Sequence, residues 1–247
     1  MYVGGTTGGI RQMDTGERSW GLSGFTLKCI AMLTMLIDHM GMVLFPQYRW
    51  MRIIGRLAFP IFCFLLAEGA VHTSNHRKYL LRLLAFALIS EVPFNLARTG
   101  MFYAPYHQNV FFTLFLGLLA ITAIQKLPGQ ILPAISAIAC ILVASPLHTD
   151  YGSGGVLIVL VFYLFREQLF LKVFLFAIFN IGLWGGVGQG ISYVLEKTQT
   201  YAVFAIIPIL CYNGKRGPGL KYVFYAFYPV HLLVLYWLRF LMLRGMI

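Results

Sequence analysis

The feature that most limits what this chain can become is its succession of apolar runs. Leu, Ile, Phe, Val and Ala continue almost without interruption for close to the ~20 residues that a helix needs to cross hydrocarbon. Runs of this kind cannot be hidden inside a water-soluble globule of 247 residues in which 59% are hydrophobic and only 11% charged. The mean hydropathy of +0.77 points the same way. Lipid is therefore the expected solvent, and in lipid only helices and closed barrels satisfy their own backbone polar groups. A barrel would show short segments of strict apolar and polar alternation, whereas these runs are continuous. The expected fold class is an all-α integral membrane protein, a bundle of about nine transmembrane helices around a polar intramembrane cavity.

The nine spanning segments are expected near residues 26–46, 50–71, 79–97, 109–126, 131–147, 153–165, 169–187, 200–213 and 221–243, the sixth and eighth being short. No soluble insert separates them, so residues 26–247 read as one polytopic domain. Residues 1–25 are Gly-rich and polar, without the apolar core of a cleavable signal peptide, and read as a flexible cytoplasmic tail. Counting Lys and Arg in alternate loops places the tail, the 72–82 loop, Lys126, Arg166 with Lys172, and Lys215, Arg216 and Lys221 on one side. By the positive-inside rule that side is cytoplasmic, with the N-terminus in and the C-terminus out, in a bacterial cytoplasmic (inner) membrane. Pro60, Pro93, Pro208 and Pro229 fall inside these segments, where they kink helices and free carbonyls.

The formal charge of +11 would suggest a nucleic-acid partner in a soluble protein. Here Lys and Arg flank apolar runs and act as topology signals, so no nucleic-acid partner is expected. Cys29, Cys63, Cys140 and Cys211 lie in or beside apolar runs with no CxxC pair, as buried small hydrophobes do. His72 and His76 are spaced i,i+4 but lack the Glu and third ligand of a zinc site, so no metal is expected.

Ionisable side chains inside a spanning helix cost roughly 2.5–3.5 kcal/mol each, which makes every one a functional candidate. By helical rise, Asp38 with His39, Arg56, Glu91 with Asn95, Gln108 with Asn109, and Asp150 fall in the outer half, and His231 near the middle. Eleven residues at about 100° each return His39 to nearly the helix face of Lys28, some 16 Å deeper. That geometry suits a long ligand entering from the cytosol with an anionic head and a reactive end; the plainer alternative is a snorkelling Lys and a His satisfied by a neighbouring helix. Imidazole suits general-base work near neutrality. Asp38 adjoins His39 in sequence but points about 100° away, so the carboxylate that orients His39 is expected from another helix, Asp150 or Glu91. Asp38 either serves the site or pairs with Arg56 or Arg52, and an Arg56–Glu91 pair is an equal possibility to a catalytic Arg56. Asp150-Tyr151-Gly152-Ser153 is a turn leading into a helix, without the ending of a phosphate loop. His231, beside Pro229, is a bundle hydrogen-bonder or part of a polar cavity.

Taken together, LKCIAMLTMLIDHMG, GRLAFPIFCFLLAEG, RKYLLRLLAFALISEVPFNLA, QNVFFT, DYGSGG and FYPVHLL resemble the motifs of TraX proteins, in order, over roughly residues 26–243. TraX proteins are associated with N-terminal acetylation of conjugative pilin. The family is similar to transmembrane acyltransferases, including acyltransferase type 3 and heparan-glucosaminide acetyltransferases. In those relatives a basic residue and a His separated by ten residues mark the first helix; Lys28 and His39 have that spacing, with Lys in place of the commoner Arg.

The resemblance implies transfer of an acetyl group from cytosolic acetyl-CoA, the acyl donor, to an extracytoplasmic or envelope acceptor, a pilin N-terminus or a surface glycan. His39 is the expected base, with Asp38, Arg56, Glu91 and Asp150 around it. Lys28, Arg77, Lys78 and Arg82 are expected to attract the CoA phosphates, and Gln108, Asn109, Tyr151 and His231 to meet the acceptor. A proton-coupled transporter and a non-catalytic envelope assembly scaffold are the rival readings, the first lacking visible inverted repeats and the second leaving the buried charges without a role.

Overall fold

A computed structural model describes residues 20–185 and 197–246, so residues 1–19 of the expected tail, and residues 186–187 of the seventh expected segment, lie outside the described residues. Within these bounds the chain is helical. The elements are α1 Gly24–Val43, α2 Arg49–Gly55, α3 Ala58–His72, α4 His76–Thr99, α5 Val110–Lys126, α6 Ile131–Ala144, α7 Gly152–Leu164 and α8 Leu169–Gly185. A 3-10 helix, Thr198–Ala205, then runs directly into α9 Ile206–Leu210, and α10 Lys221–Leu243 completes the bundle. As far as the described residues extend, each expected segment falls on one helix or on two successive ones.

Local chemistry sets the boundaries. Ser23 caps α1 by accepting the Thr26 N–H at 3.1 Å, so the helix starts at Gly24, two residues before the expected start of the span. Asn75 caps α4 through the Lys78 N–H at 2.9 Å, and Gly100, at φ 76°, ends α4 in the left-handed conformation that glycine tolerates. Asn109 caps α5 through the Phe111 N–H at 3.1 Å. The second expected segment is divided at Arg56 and Leu57, and Pro60 lies in the first turn of α3, where its missing N–H would have no helical partner anyway.

Among the described residues, four helical stretches are long and apolar enough to cross a membrane: Gly24–Val43, Arg49–His72, His76–Thr99 and Tyr222–Leu243. The other apolar helices among the described residues are shorter than 18 residues. Leu88, Ile89, Ile135, Leu142 and Phe174 face outward, while Leu27, Ala31, Ile61, Ala87, Leu118, Ile121 and Ile158 fill the interior. This is the inverted surface expected of a membrane protein, in which helices associate by close packing because lipid chains are as apolar as Leu. Small residues make that packing possible: a Cβ added at Gly117 of α5 would stand 2.8 Å from Val159 of α7.

α1 packs on α2, α3 and α10, α4 on α5 and α10, and α7 on α3, α5 and α8. The two ends of the bundle have different chemistry. At one, the Gly24 N–H donates to the Lys215 carbonyl at 2.8 Å, and Arg166 pairs with Glu68 at 2.7 Å. Burial opposes charge on Arg166, but the hydrogen bond and the charge of Glu68 outweigh it and hold the guanidinium pKa above its ordinary value. At the other end the Gln108 N–H donates to the His148 carbonyl at 2.8 Å, and His107 Nε2 lies 2.9 Å from Asp150 Oδ1. The first end gathers the loops expected to face the cytosol, and the second holds the polar residues expected at outer depth.

Candidate active site

Consecutive residues of α1 serve two different neighbours. Asp38 faces α2 and its C-cap residue, Arg56: Arg52 Nη1 donates to Oδ2 at 2.6 Å and Arg56 Nη2 donates to Oδ1 at 2.5 Å. Arg52 also reaches the Asp38 carbonyl at 3.1 Å. The two arginines are four residues apart on one helix face, so both forks converge on a single buried carboxylate. His39, turned by about 100°, faces α10 instead. Its Nδ1 lies 2.7 Å from His231 Nε2, with the two ring planes within 23° of each other and their centroids 4.9 Å apart. Tyr228, one turn before His231, meets His39 edge-on at 5.8 Å.

Asp38, His39, Arg52, Arg56 and Tyr228 line a pocket of about 80 Å³ together with Arg98, Asp150, Tyr151 and Phe59, and His231 stands behind its wall. Tyr151 stacks on Phe59 with the rings within 2° of parallel. Beneath it lies a larger pocket of about 380 Å³, lined by Lys28, Glu68, Tyr79, Arg82, Arg216 and Tyr225 among others. The two share Met35, Phe62, Val110 and Tyr228, so the floor of one is the roof of the other. Lys28 and His39 both turn toward α10, Lys28 with its Nζ 5.3 Å from the Phe224 ring centroid in the lower pocket and His39 against His231 in the upper. The side chain of Arg82 lies against Tyr79 and Tyr225 at 5.4 and 5.6 Å from their ring centroids. Its Nε is buried without a hydrogen-bond partner among the described residues.

Several pairings differ from those expected. Arg56 does not meet Glu91; besides Asp38 it donates to Gln199 Oε1 at 3.2 Å. Glu91 accepts from Asn109 Nδ2 at 2.6 Å, because α4 turns that carboxylate to the N-terminus of α5, and it does not line the upper pocket. Neither Glu91 nor Asp150 orients His39: Asp150 is held by His107, and a second imidazole takes the orienting place. Arg77 and Lys78 are exposed on the first turn of α4 and line neither pocket, whereas Lys28 and Arg82 line the lower one. Of the residues expected to meet an acceptor, Tyr151 lines the upper pocket. Gln108 donates from Nε2 to the Pro105 carbonyl at 3.0 Å, Asn109 is fully buried as a cap, and His231 stands behind His39.

Sequence reasoning passed over Arg98, Tyr228 and Arg216. Tyr228 and His231 sit three apart on one face of α10, a spacing that could have flagged Tyr228. Arg216 gave no such signal, since it reaches the lower pocket only because residues 211–215 run beside the start of α1.

The family model described as TraX protein matches residues 23–239. The probable fimbrial assembly protein FimC, serogroup H1, of Dichelobacter nodosus is 30% identical over 238 residues, covering 89% of this chain and 96% of that protein. Protein TraX of Escherichia coli is 27% identical over 145 residues, 58% of this chain and 56% of that protein. An uncharacterised protein of Rickettsia prowazekii shares 55% identity over a stretch of 38 residues, 15% of each chain. No solved structure matches. A match that takes in α1 with Asp38 and His39, α2 with Arg52 and its C-cap Arg56, and α10 with His231 leaves a single assignment: the chain belongs to the TraX family.

Proposed function

We propose that this protein is a transmembrane acetyltransferase that moves an acetyl group from cytosolic acetyl-CoA to an extracytoplasmic acceptor, a pilus subunit or a surface glycan. One observation carries the reading: the buried imidazole of His39 sits on the wall of a charged pocket whose floor is shared with a larger basic pocket opening toward the other end of the bundle. The names of the relatives, a fimbrial assembly protein and a TraX protein, favour an acceptor from the pilus class. The basic end of the bundle is the cytoplasmic one on this reading, in a bacterial inner membrane, which puts the lower pocket in reach of a cytosolic thioester.

In the reaction, Nε2 of His39 takes the proton from the acceptor amine or hydroxyl as that atom attacks the thioester carbonyl. The carbonyl carbon gains a bond to the acceptor and loses its bond to sulfur. The departing CoA thiolate takes the proton back from His39, so the products are acetylated acceptor and CoA thiol. Lys28, Arg82 and Arg216, which line the lower pocket, hold the phosphates of the donor.

Purified protein in nanodiscs, given acetyl-CoA and envelope extract, should release CoA and acetylate a component missing its acetyl group in a deletion strain. His39→Ala should lower the rate by about a hundred- to ten-thousand-fold, the usual share of a general base. Solute uptake without CoA release, or full activity of His39→Ala, would overturn the reading.

A further inference from the structure

The hydrogen bonds behind His39 form a chain with only one consistent arrangement of protons when both rings are neutral. His231 Nδ1 lies 2.6 Å from the Phe227 carbonyl oxygen, one helical turn earlier in α10. A carbonyl oxygen only accepts, so Nδ1 of His231 carries the hydrogen. A neutral imidazole has a single N–H, which leaves His231 Nε2 with a lone pair. That lone pair faces His39 Nδ1 at 2.7 Å, so His39 must donate from Nδ1. The one nitrogen left without hydrogen is Nε2 of His39, and His39 lines the upper pocket. Tautomers are set by the partner of the other ring nitrogen, and here the setting begins at a backbone carbonyl and passes through two rings.

From this chain we infer that His231 is a positioning residue that fixes His39 in the Nδ1–H tautomer, presenting a bare Nε2 to the acceptor. The inference rests on the proposed role of His39 as base and reassigns His231 from acceptor binding to the support of that base. When Nε2 takes a proton, the resulting imidazolium still donates from Nδ1 to a neutral acceptor. His231 therefore stabilises the charged form without bringing a formal negative charge into the bundle, the part a carboxylate plays behind many catalytic histidines. The second orienting contact comes from packing: Phe227 stacks on His231 at 4.6 Å between centroids and Tyr228 holds it edge-on at 5.8 Å, so the ring cannot swing away from the line of donors.

The test uses protein labelled with 15N at histidine, in lipid bilayers at neutral pH, where a bare imidazole nitrogen and one bearing hydrogen resonate far apart. Six histidines are few enough to assign by substitution. The wild type should show His39 and His231 each protonated at Nδ1 and bare at Nε2. His231→Ala should lose this preference at His39 and lower kcat by roughly ten- to a hundred-fold, the usual effect of removing an orienting partner, with KM for acetyl-CoA unchanged. His231→Gln offers an amide oxygen in the place of Nε2 and should restore both tautomer and most of kcat. His39 protonated at Nε2, His231 doubly protonated, or equal impairment of the Ala and Gln variants would overturn the inference. The resonances report on the chain of protons whether or not His39 is the base, so a His39→Ala enzyme that still turns over would remove the proposed function while leaving the tautomer result standing.

Discussion

Asp38 lies so close to the backbone of Gly55 that its Cβ and carboxyl occupy the volume a side chain at position 55 would fill. This contact explains how one carboxylate meets both Arg52 of α2 and Arg56 at its C-cap: α2 can approach α1 only where it has no side chain. Gly55→Ala should therefore push Asp38 off its clamp. Overpacking of this kind costs about 1–3 kcal/mol, and acetyl transfer should fall because Arg52, Arg56 and Asp38 all line the upper pocket. Thermal unfolding in detergent and CoA release measure the two effects; a variant with wild-type values in both would show that the contact is slack.

Removing Asp38 should do more harm than removing Arg52. Asp38→Ala strands two guanidiniums, one of them on a side chain only 15% exposed, and breaking a buried pair from one side costs about 3–5 kcal/mol. Arg52 is 31% exposed, so Arg52→Ala leaves Asp38 still held by Arg56, and its vacated place is open to water. Unfolding midpoints should rank wild type above Arg52→Ala above Asp38→Ala. The reverse order would mean that the clamp is held by the α2 backbone contact rather than by charge.

How much of this was legible in the sequence depends on the kind of evidence each residue left. The spans were legible because apolar runs have a length, and the split at Arg56 and Leu57 was not, because Pro60 can equally kink a continuous helix. That Asp38 and His39 serve different neighbours follows from helical geometry alone. Which neighbours was not readable: Asp150 and Glu91 had suitable depth, His231 was placed nearer the middle, and only the packing of α10 on α1 sets a second imidazole behind His39. Arg77, Lys78 and Arg82 shared one basic run, and the rotation of α4 alone decides that Arg82 faces inward while the other two face out.

That rotation gives a discriminating prediction about the donor. Arg82→Ala should raise KM for acetyl-CoA by about tenfold, the equivalent of losing one charge-assisted hydrogen bond of roughly 1.5 kcal/mol. Lys28→Ala and Arg216→Ala should act in the same direction. Arg77→Ala and Lys78→Ala should leave KM unchanged, since both side chains are exposed and line neither pocket. Initial rates against acetyl-CoA concentration separate the two sets, and a KM that follows Lys78 would move the donor to the exposed face of α4.

If the donor binds below and the base works above, the thioester end of its arm must pass between Met35, Phe62, Val110 and Tyr228, the four residues common to both linings. Met35 is the pliable member, an unbranched side chain that changes rotamer at little cost, and it lies on α1 between Lys28 and His39. Met35→Trp should fill the passage with a rigid ring and abolish acetyl transfer while leaving acetyl-CoA affinity, read by calorimetry, close to wild type. Met35→Ala opens the passage and should retain transfer, although the buried cavity it creates lowers stability by about 2–5 kcal/mol. The Trp variant must still fold, which its unfolding midpoint and the tautomer signature of His39 both report. A folded Met35→Trp protein that acetylates at the wild-type rate would mean that donor and base meet by another route.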